Sequence, residues 1–356
     1  MKKLLIIILM TGSYHILKGQ NSETMQNKFN FKSLYSYAIQ EDVKSLLYVL
    51  DTLPDTELNG EEILIKEKYY RRFRTQDEVY EYNTADKLIK DMTDIYTNYW
   101  KSVLLKQKSV AEADTVLINN LKNYLLENSG GGNYRDNTEI NSDPLKYFSG
   151  LLTGKGYFCN VEGKTGNLYD IYIWRTQDTT DFNVDLPDEN IRVSVIFMKD
   201  IITLGWEEYA TFGYHYPGGW PKDSVLYCVA KAYNTSEEKF TVSYLTHEAQ
   251  HFQDIKKYEE IPSWHFEYRA KLAELSRADE TMYKLLAAFI RGAKNDSTLS
   301  HPYAEYCVIR DLSKKIFGDE FVSDTGKWES VDIELINRSS AELLRYDTSL
   351  LILKKD

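Results

Sequence analysis

Apolar residues recur at helical spacing through the first third of the chain. Leu34, Ala38, Val43, Leu46, Leu47 and Leu50 form one stripe, which Pro54 stops. Leu88, Met92, Ile95, Tyr96, Tyr99 and Val103 form a second, and Val116, Leu117, Leu121 and Leu125 a third. Between the first two, Lys66 to Thr75 is a mixed basic and aromatic run that reads as a solvated helix face. Ser129-Gly130-Gly131-Gly132-Asn133 breaks the pattern, and polar residues continue to Asp143. The spacing predicts a mainly helical region over 21–128 and a linker over 129–143, with no repeat of fixed period.

After the linker the period shortens. Tyr157 to Val161 and Leu168 to Trp174 read as strands flanking a hairpin turn at Glu162 to Asn167. Arg192 to Met198 and Ser224 to Tyr233 read as a third and a fourth strand. Gly213 to Trp220, dense in Gly, Pro and aromatics, reads as a shaped loop. Thr235 and Glu238 have the spacing of a capping box, and Phe240, Tyr244, His247 and His251 then recur at helical spacing, with no Gly or Pro before Pro262. Helical patterns continue through Arg291, restart at His301-Pro302-Tyr303, and end in an amphipathic tail from Val331 to Lys355. The order predicts an α+β fold, with residues 144–356 as one domain.

Composition narrows the setting. Lys2 and Lys3 precede an apolar core from Leu4 to Met10 that is too short to span a bilayer, so residues 1–20 read as a signal peptide. The chain is then exported to a periplasmic or extracellular space, with no membrane span in its mature part. Net charge is −11 at pH 7, and loss of three lysines with residues 1–20 makes the remainder more acidic still. No basic patch offsets this, which argues against nucleic-acid binding. Cys159, Cys228 and Cys307 are widely spaced and odd in number, so they form neither a zinc knuckle nor a disulfide framework; one bridge or buried thiols remain open.

The stretch richest in chemistry is Thr246-His247-Glu248-Ala249-Gln250-His251. On a helix, His247 and His251 sit one turn apart on one face, where two imidazoles reach one tetrahedral Zn²⁺. Glu248 lies beside them, where a water molecule attacking a substrate would need a base.

This H-E-x-x-H stretch resembles the zincin metallopeptidases. The positions where metzincins carry Gly and a third ligand hold Asp254 and Lys257, which excludes that subclass. Glu267-x-x-Ala270-x-x-Ala273 resembles the E-x-x-A-D segment of CAAX-protease-type gluzincins, with Lys271 in place of the Asp. The resemblance implies a zincin-like domain: a small mixed sheet whose edge strand pairs with peptide, the H-E-x-x-H helix, and C-terminal helices. It implies one Zn²⁺ per chain on His247, His251 and Glu267, with Glu248 as general base. His265 and Glu274 remain alternative third ligands; His265 is two residues from Glu267 and so faces elsewhere if Glu267 is the ligand. Without the Asp, Asp254 or Glu274 must orient a ligand histidine. The His301-Pro302 pair and Arg310 resemble an H-P and Arg pair of the same family at a longer interval, and with His215 they are candidates for stabilising an oxyanion. The function expected is an exported zinc metallopeptidase acting on peptide or protein. The alternative is an exported, non-catalytic binding protein that keeps the fold around structural zinc.

Overall fold

The computed structural model describes residues 31–353, apart from 76, 79, 129–133, 223–224 and 259–260. The expected signal peptide and the glycine-rich centre of the expected linker lie outside the described residues. Two compact units divide the chain: Met1–Gln177 with Met198–Pro217, and Asp178–Phe197 with Gly218–Asp356. The architecture is mixed α+β and predominantly helical.

The first unit opens with α1 (Leu34–Ile39), α2 (Val43–Thr52), α3 (Gly60–Tyr70), α4 (Lys87–Leu104), α5 (Val110–Asn128), α6 (Tyr134–Ser142) and α7 (Pro144–Gly154). Side-chain oxygens satisfy the open N–H groups at several starts: Asp42 accepts from Ser45, Asp86 from Leu88 and Asp143 from Lys146, while Asn59 and Glu62 cap each other. All six residues of the first apolar stripe are buried, yet it folds into two helices, because Glu41 takes a left-handed turn at φ 58°. The third stripe is buried at Leu117, Leu121 and Leu125, whereas Val116 is exposed.

Two expectations need correction here. Lys66 to Thr75 is only partly solvated: Tyr69 and Phe73 are core residues, and Arg72 is buried, ion-paired with Glu78 and laid over the Phe212 ring. The described part of the expected linker is mostly helix α6, which packs on α5 and α7. Residues 144–177 accordingly belong with the N-terminal helices and not with the C-terminal ones.

Strands follow: β1 (Phe158–Asn160), β2 (Lys164–Thr165), β3 (Leu168–Tyr169), β4 (Tyr172–Asp185) and β5 (Asn190–Leu204), then α8 (Gly205–Thr211), β6 (Gly219–Lys222) and β7 (Val225–Val229). The sheet order is β1-β4-β5-β7-β6, with β2 and β3 a separate small hairpin. Each of the long strands β4 and β5 gives one half to each unit. The expected strands at Tyr157 to Val161 and Arg192 to Met198 are present with shifted ends, Leu168 to Trp174 is split between β3 and the start of β4 in different sheets, and Ser224 to Tyr233 is strand only over Val225–Val229. The distal half of β4, Asp178 to Asp185, was not expected, since its Asp, Thr and Asn residues resemble a loop. Its neighbour β5 returns through a turn closed by Leu186 N–H to Glu189 O at 2.9 Å.

The second unit continues with α9 (Glu238–Phe240), α10 (His247–Lys257), α11 (Ser263–Leu275), α12 (Met282–Gly292), α13 (Ser300–Phe317), α14 (Thr325–Glu329) and α15 (Ile333–Leu353). Its core runs through Leu272, Leu275, Met282, Leu286, Val308, Leu312, Trp328, Ile336 and Leu344. None of the described helices is long and apolar enough to cross a membrane. Among the described residues Cys159, Cys228 and Cys307 form no disulfide, and Cys228 and Cys307 are buried.

Two acids are buried in the first unit. The Asp170 carboxylate accepts the Ile171 and Trp206 N–H groups, each at 2.9 Å, and the Tyr172 hydroxyl at 2.8 Å. Gly205, at φ +85°, lets this carboxylate pack against the backbone, where a Cβ would overlap it. Burial pushes Asp170 up to about 7 against these hydrogen bonds. Burial, helped by Asp170, pushes Glu207 up to about 8, and its Oε2 has no partner. Both acids hold protons in the fold that they release on unfolding, so stability falls as pH rises from the ordinary carboxylate range towards 8. Each such group contributes about 1.4 kcal/mol per pH unit across that window. Urea unfolding between pH 6 and 8 is expected to show a shallower loss for Glu207→Gln than for wild type, by about that slope. Identical slopes would contradict this assignment.

Candidate metal centre

The helix bearing the two histidines begins differently from its sequence signature. The Thr235–Glu238 capping box does not form. Asn234 turns on Ser236 and Glu237, while the Glu238 carboxylate accepts the Asp279 and Thr281 N–H groups across the unit. One wide π-type turn, Thr241–Thr246, then leads into α10, with the Thr246 hydroxyl donating to Thr241 O at 2.9 Å. Such turns insert a residue into the helical register and recur at functional sites. Here the turn is fixed from outside: the Tyr244 hydroxyl donates to Tyr227 O on β7 at 2.9 Å. Gly219 lies so near that carbonyl and the Tyr244 ring that any Cβ would collide.

On α10, His247 and His251 are one turn apart, and their Nε2 atoms approach to 3.0 Å. From α11, Glu267 Oε2 lies 3.5 Å from His247 Nε2 and Oε1 lies 3.4 Å from His251 Nε2. All three residues are buried, and among the described residues they are the one group of three such side chains whose ligand atoms converge closely enough for a metal ion. The edge of a tetrahedron with metal–ligand bonds of 2.0–2.2 Å is about 3.3–3.6 Å. The two imidazole nitrogens, and each of them with its nearer Glu267 oxygen, lie at about that spacing, so the group could hold one cation. Ala270 and Ala273, both fully buried, keep α11 thin on its packed side, where it runs against α10.

The charges point the same way. Burial works against a charged His247 ring, but Glu267 and Glu274 outweigh it and lift its pKa to about 9. At His251 burial, helped by the neighbouring His247 charge, outweighs Glu267 and Asp254, and its pKa is lowered. Against its own burial, Glu267 is held well below the usual carboxylate range by His301, His251 and His247. A proton on His247 thus stands in for the positive charge this cluster requires. Burial raises Glu248 to about 8, with Glu267 and Glu274 adding to it, and both of its oxygens are buried without a hydrogen-bond partner.

Around this centre the other candidates separate. Glu274 Oε2 is 3.4 Å from His247 Nδ1, the nitrogen facing away from the cluster, so Glu274 orients a ligand and is not one. Asp254 does not take that part; it accepts from Gln250 and, with its two oxygens, from Nε and Nη2 of Arg269. His265 points elsewhere, with Nε2 2.8 Å from Asp347 and its ring stacked on Trp264. His301 Nδ1 sits 3.0 Å from Glu267 Oε2, and its side chain is the most exposed of the cluster. Arg310 is turned onto Asp311, at 2.7 and 3.0 Å. His215 belongs to the first unit, where its ring lies edge-on to Tyr214.

The sequence did not reveal the buried network of Arg269, Asp254, Asp347 and Thr348. Asp347 is 78 residues from Arg269, and no local pattern links them. It also did not reveal the pairing of Lys271 with Glu305.

No protein-family model, curated protein or solved structure matches this chain.

Zinc titration of the purified full chain against a competing chelator separates these roles. Glu267→Ala is expected to lose metal, since two imidazoles remain. Glu274→Ala is expected to weaken binding about 10- to 100-fold, as loss of an orienting partner does. His265→Ala is expected to bind as wild type does. A His265→Ala variant that loses metal while Glu267→Ala keeps it would overturn the ligand set.

Proposed function

We propose that the chain is an exported zinc metallopeptidase of the gluzincin type, with a zincin-like second unit. The observation that carries the reading is the Glu248 carboxylate, buried without a partner beside the converging His247, His251 and Glu267 atoms. Burying an unpaired carboxylate is costly, and a purely structural ion has no use for one at that place. That distinguishes this reading from a binding protein with structural zinc.

A Zn²⁺ held by the three side chains would supply Lewis acidity toward a scissile carbonyl and toward water. The remaining work falls to the chain. Glu248, whose charged form is favoured by a cation on the three ligands, accepts the proton of the attacking water and returns it to the leaving amide nitrogen. Glu274 holds the His247 ring so that Nε2 faces the cluster. His301, at the exposed side of the cluster, is the group best placed to meet the developing oxyanion. Strand β6 borders the sheet and packs along α10, so a peptide added to that edge would run beside the histidines. Peptide or protein is accordingly the substrate class. Export rests on the basic and apolar start of the sequence.

Glu248→Gln keeps shape and removes proton acceptance. It is expected to retain zinc while hydrolysis of a fluorogenic peptide library falls by at least ~10². Chelation with o-phenanthroline should abolish wild-type cleavage and added Zn²⁺ restore it. Undiminished cleavage by the zinc-loaded Glu248→Gln protein would remove Glu248 from the mechanism.

A further inference from the structure

Glu267, Lys271 and Glu274 follow one another by one turn along α11, so their side chains share a face. All three are buried, with Lys271 6% exposed. The hydrolysis proposed above does not use Lys271. Its ammonium lies 3.2 Å from Glu305 Oε1 on α13 and 4.5 Å from the centre of the Phe289 ring on α12. The other Glu305 oxygen rests against Gly292, where any Cβ would overlap it. Burial opposes the charged ammonium, but Glu305 first, then Glu267 and Glu274, hold its pKa above the ordinary value. The lysine is therefore a permanent cation on the same face as a metal ligand and the partner of another.

We propose that Lys271 is a positioning residue that sets how tightly the His247–His251–Glu267 group holds a divalent cation, and that Glu305 fixes how much of its charge Glu267 and Glu274 feel. The inference rests on the metal-binding reading. Lys271 and the metal act on the same carboxylates, so the ammonium opposes metal binding and holds the carboxylates when metal is absent. Glu305 draws the ammonium toward α13, and Gly292 leaves the room that this requires. The two members of one ion pair thus act on the metal in opposite directions. A pair that served packing alone would act in one direction, because either loss loosens α11 against α13.

The test is zinc affinity of the full chain, by competition with a chelator, for wild type, Lys271→Met, Lys271→Arg and Glu305→Gln. Lys271→Met is expected to bind about tenfold tighter and Glu305→Gln about tenfold weaker, as a unit charge moved within a partly buried site changes affinity. Lys271→Arg, which restores the cation, is expected to return to wild-type affinity. Gly292→Ala displaces the Glu305 carboxylate without changing any charge and should weaken binding as Glu305→Gln does. If Lys271→Met fails to fold, Lys271→Gln, which also removes the charge but keeps a polar end for Glu305, takes its place and is expected to tighten binding in the same direction. Shifts in the same direction for Lys271→Met and Glu305→Gln, or no shift in either, would overturn the proposal. A wild-type chain that binds no zinc would overturn the metal reading itself, while the Lys271 proposal alone fails if wild type binds and the variants do not differ.

Discussion

Three acidic side chains, Glu248, Glu267 and Glu274, are buried around two imidazoles, and keeping them away from water governs the second unit. Buried carboxylates need a cation or a proton nearby. The fold answers with the His247 ring, with Lys271 from one turn along α11, and with a geometry that matches a divalent ion. The same charges that make the cluster costly to assemble make it selective for a cation once assembled.

The helices that carry this cluster are fixed from several sides. Arg269 follows Glu267 on α11 and spends its donors on Asp254 of α10 and on Asp347 and Thr348 of α15. One guanidinium thereby ties the histidine helix, the glutamate helix and the last helix together in a buried network. Truncating it would leave the fully buried Asp254 without its cation, with only Gln250 still donating to it, at a cost of about 3–5 kcal/mol. The wide turn before His247 and its anchor on β7 set the entry of α10 in the same way. The ligands are held by their supports at least as much as by each other.

The amino-acid pattern carried the centre of this picture further than its margins. His247, Glu248 and His251 are legible because helical spacing decides which of them share a face, whereas Glu267, on the next helix, was reached through the resemblance of its segment to the gluzincins. The role of Glu274 was open, since distance along a helix does not say which imidazole nitrogen a carboxylate will meet. The Thr235 cap failed because Glu238 found better donors at Asp279 and Thr281, more than forty residues away in sequence. The distal half of β4 looked like a loop, because a strand whose outward residues face water can be as polar as one. The division into units was least legible: α6 reads as polar linker until its neighbours α5 and α7 are present.

The central claim is that His247, His251 and Glu267 together hold one zinc ion. X-ray absorption at the zinc edge of the purified chain measures this ligand set without reference to activity. The account gives a shell of two imidazole nitrogens and low-atomic-number oxygen donors at ~2.0–2.2 Å, with the oxygen contribution from Glu267 lost in Glu267→Ala. A shell of three imidazoles, a sulfur scatterer at ~2.3 Å, or a spectrum unchanged by Glu267→Ala would contradict it.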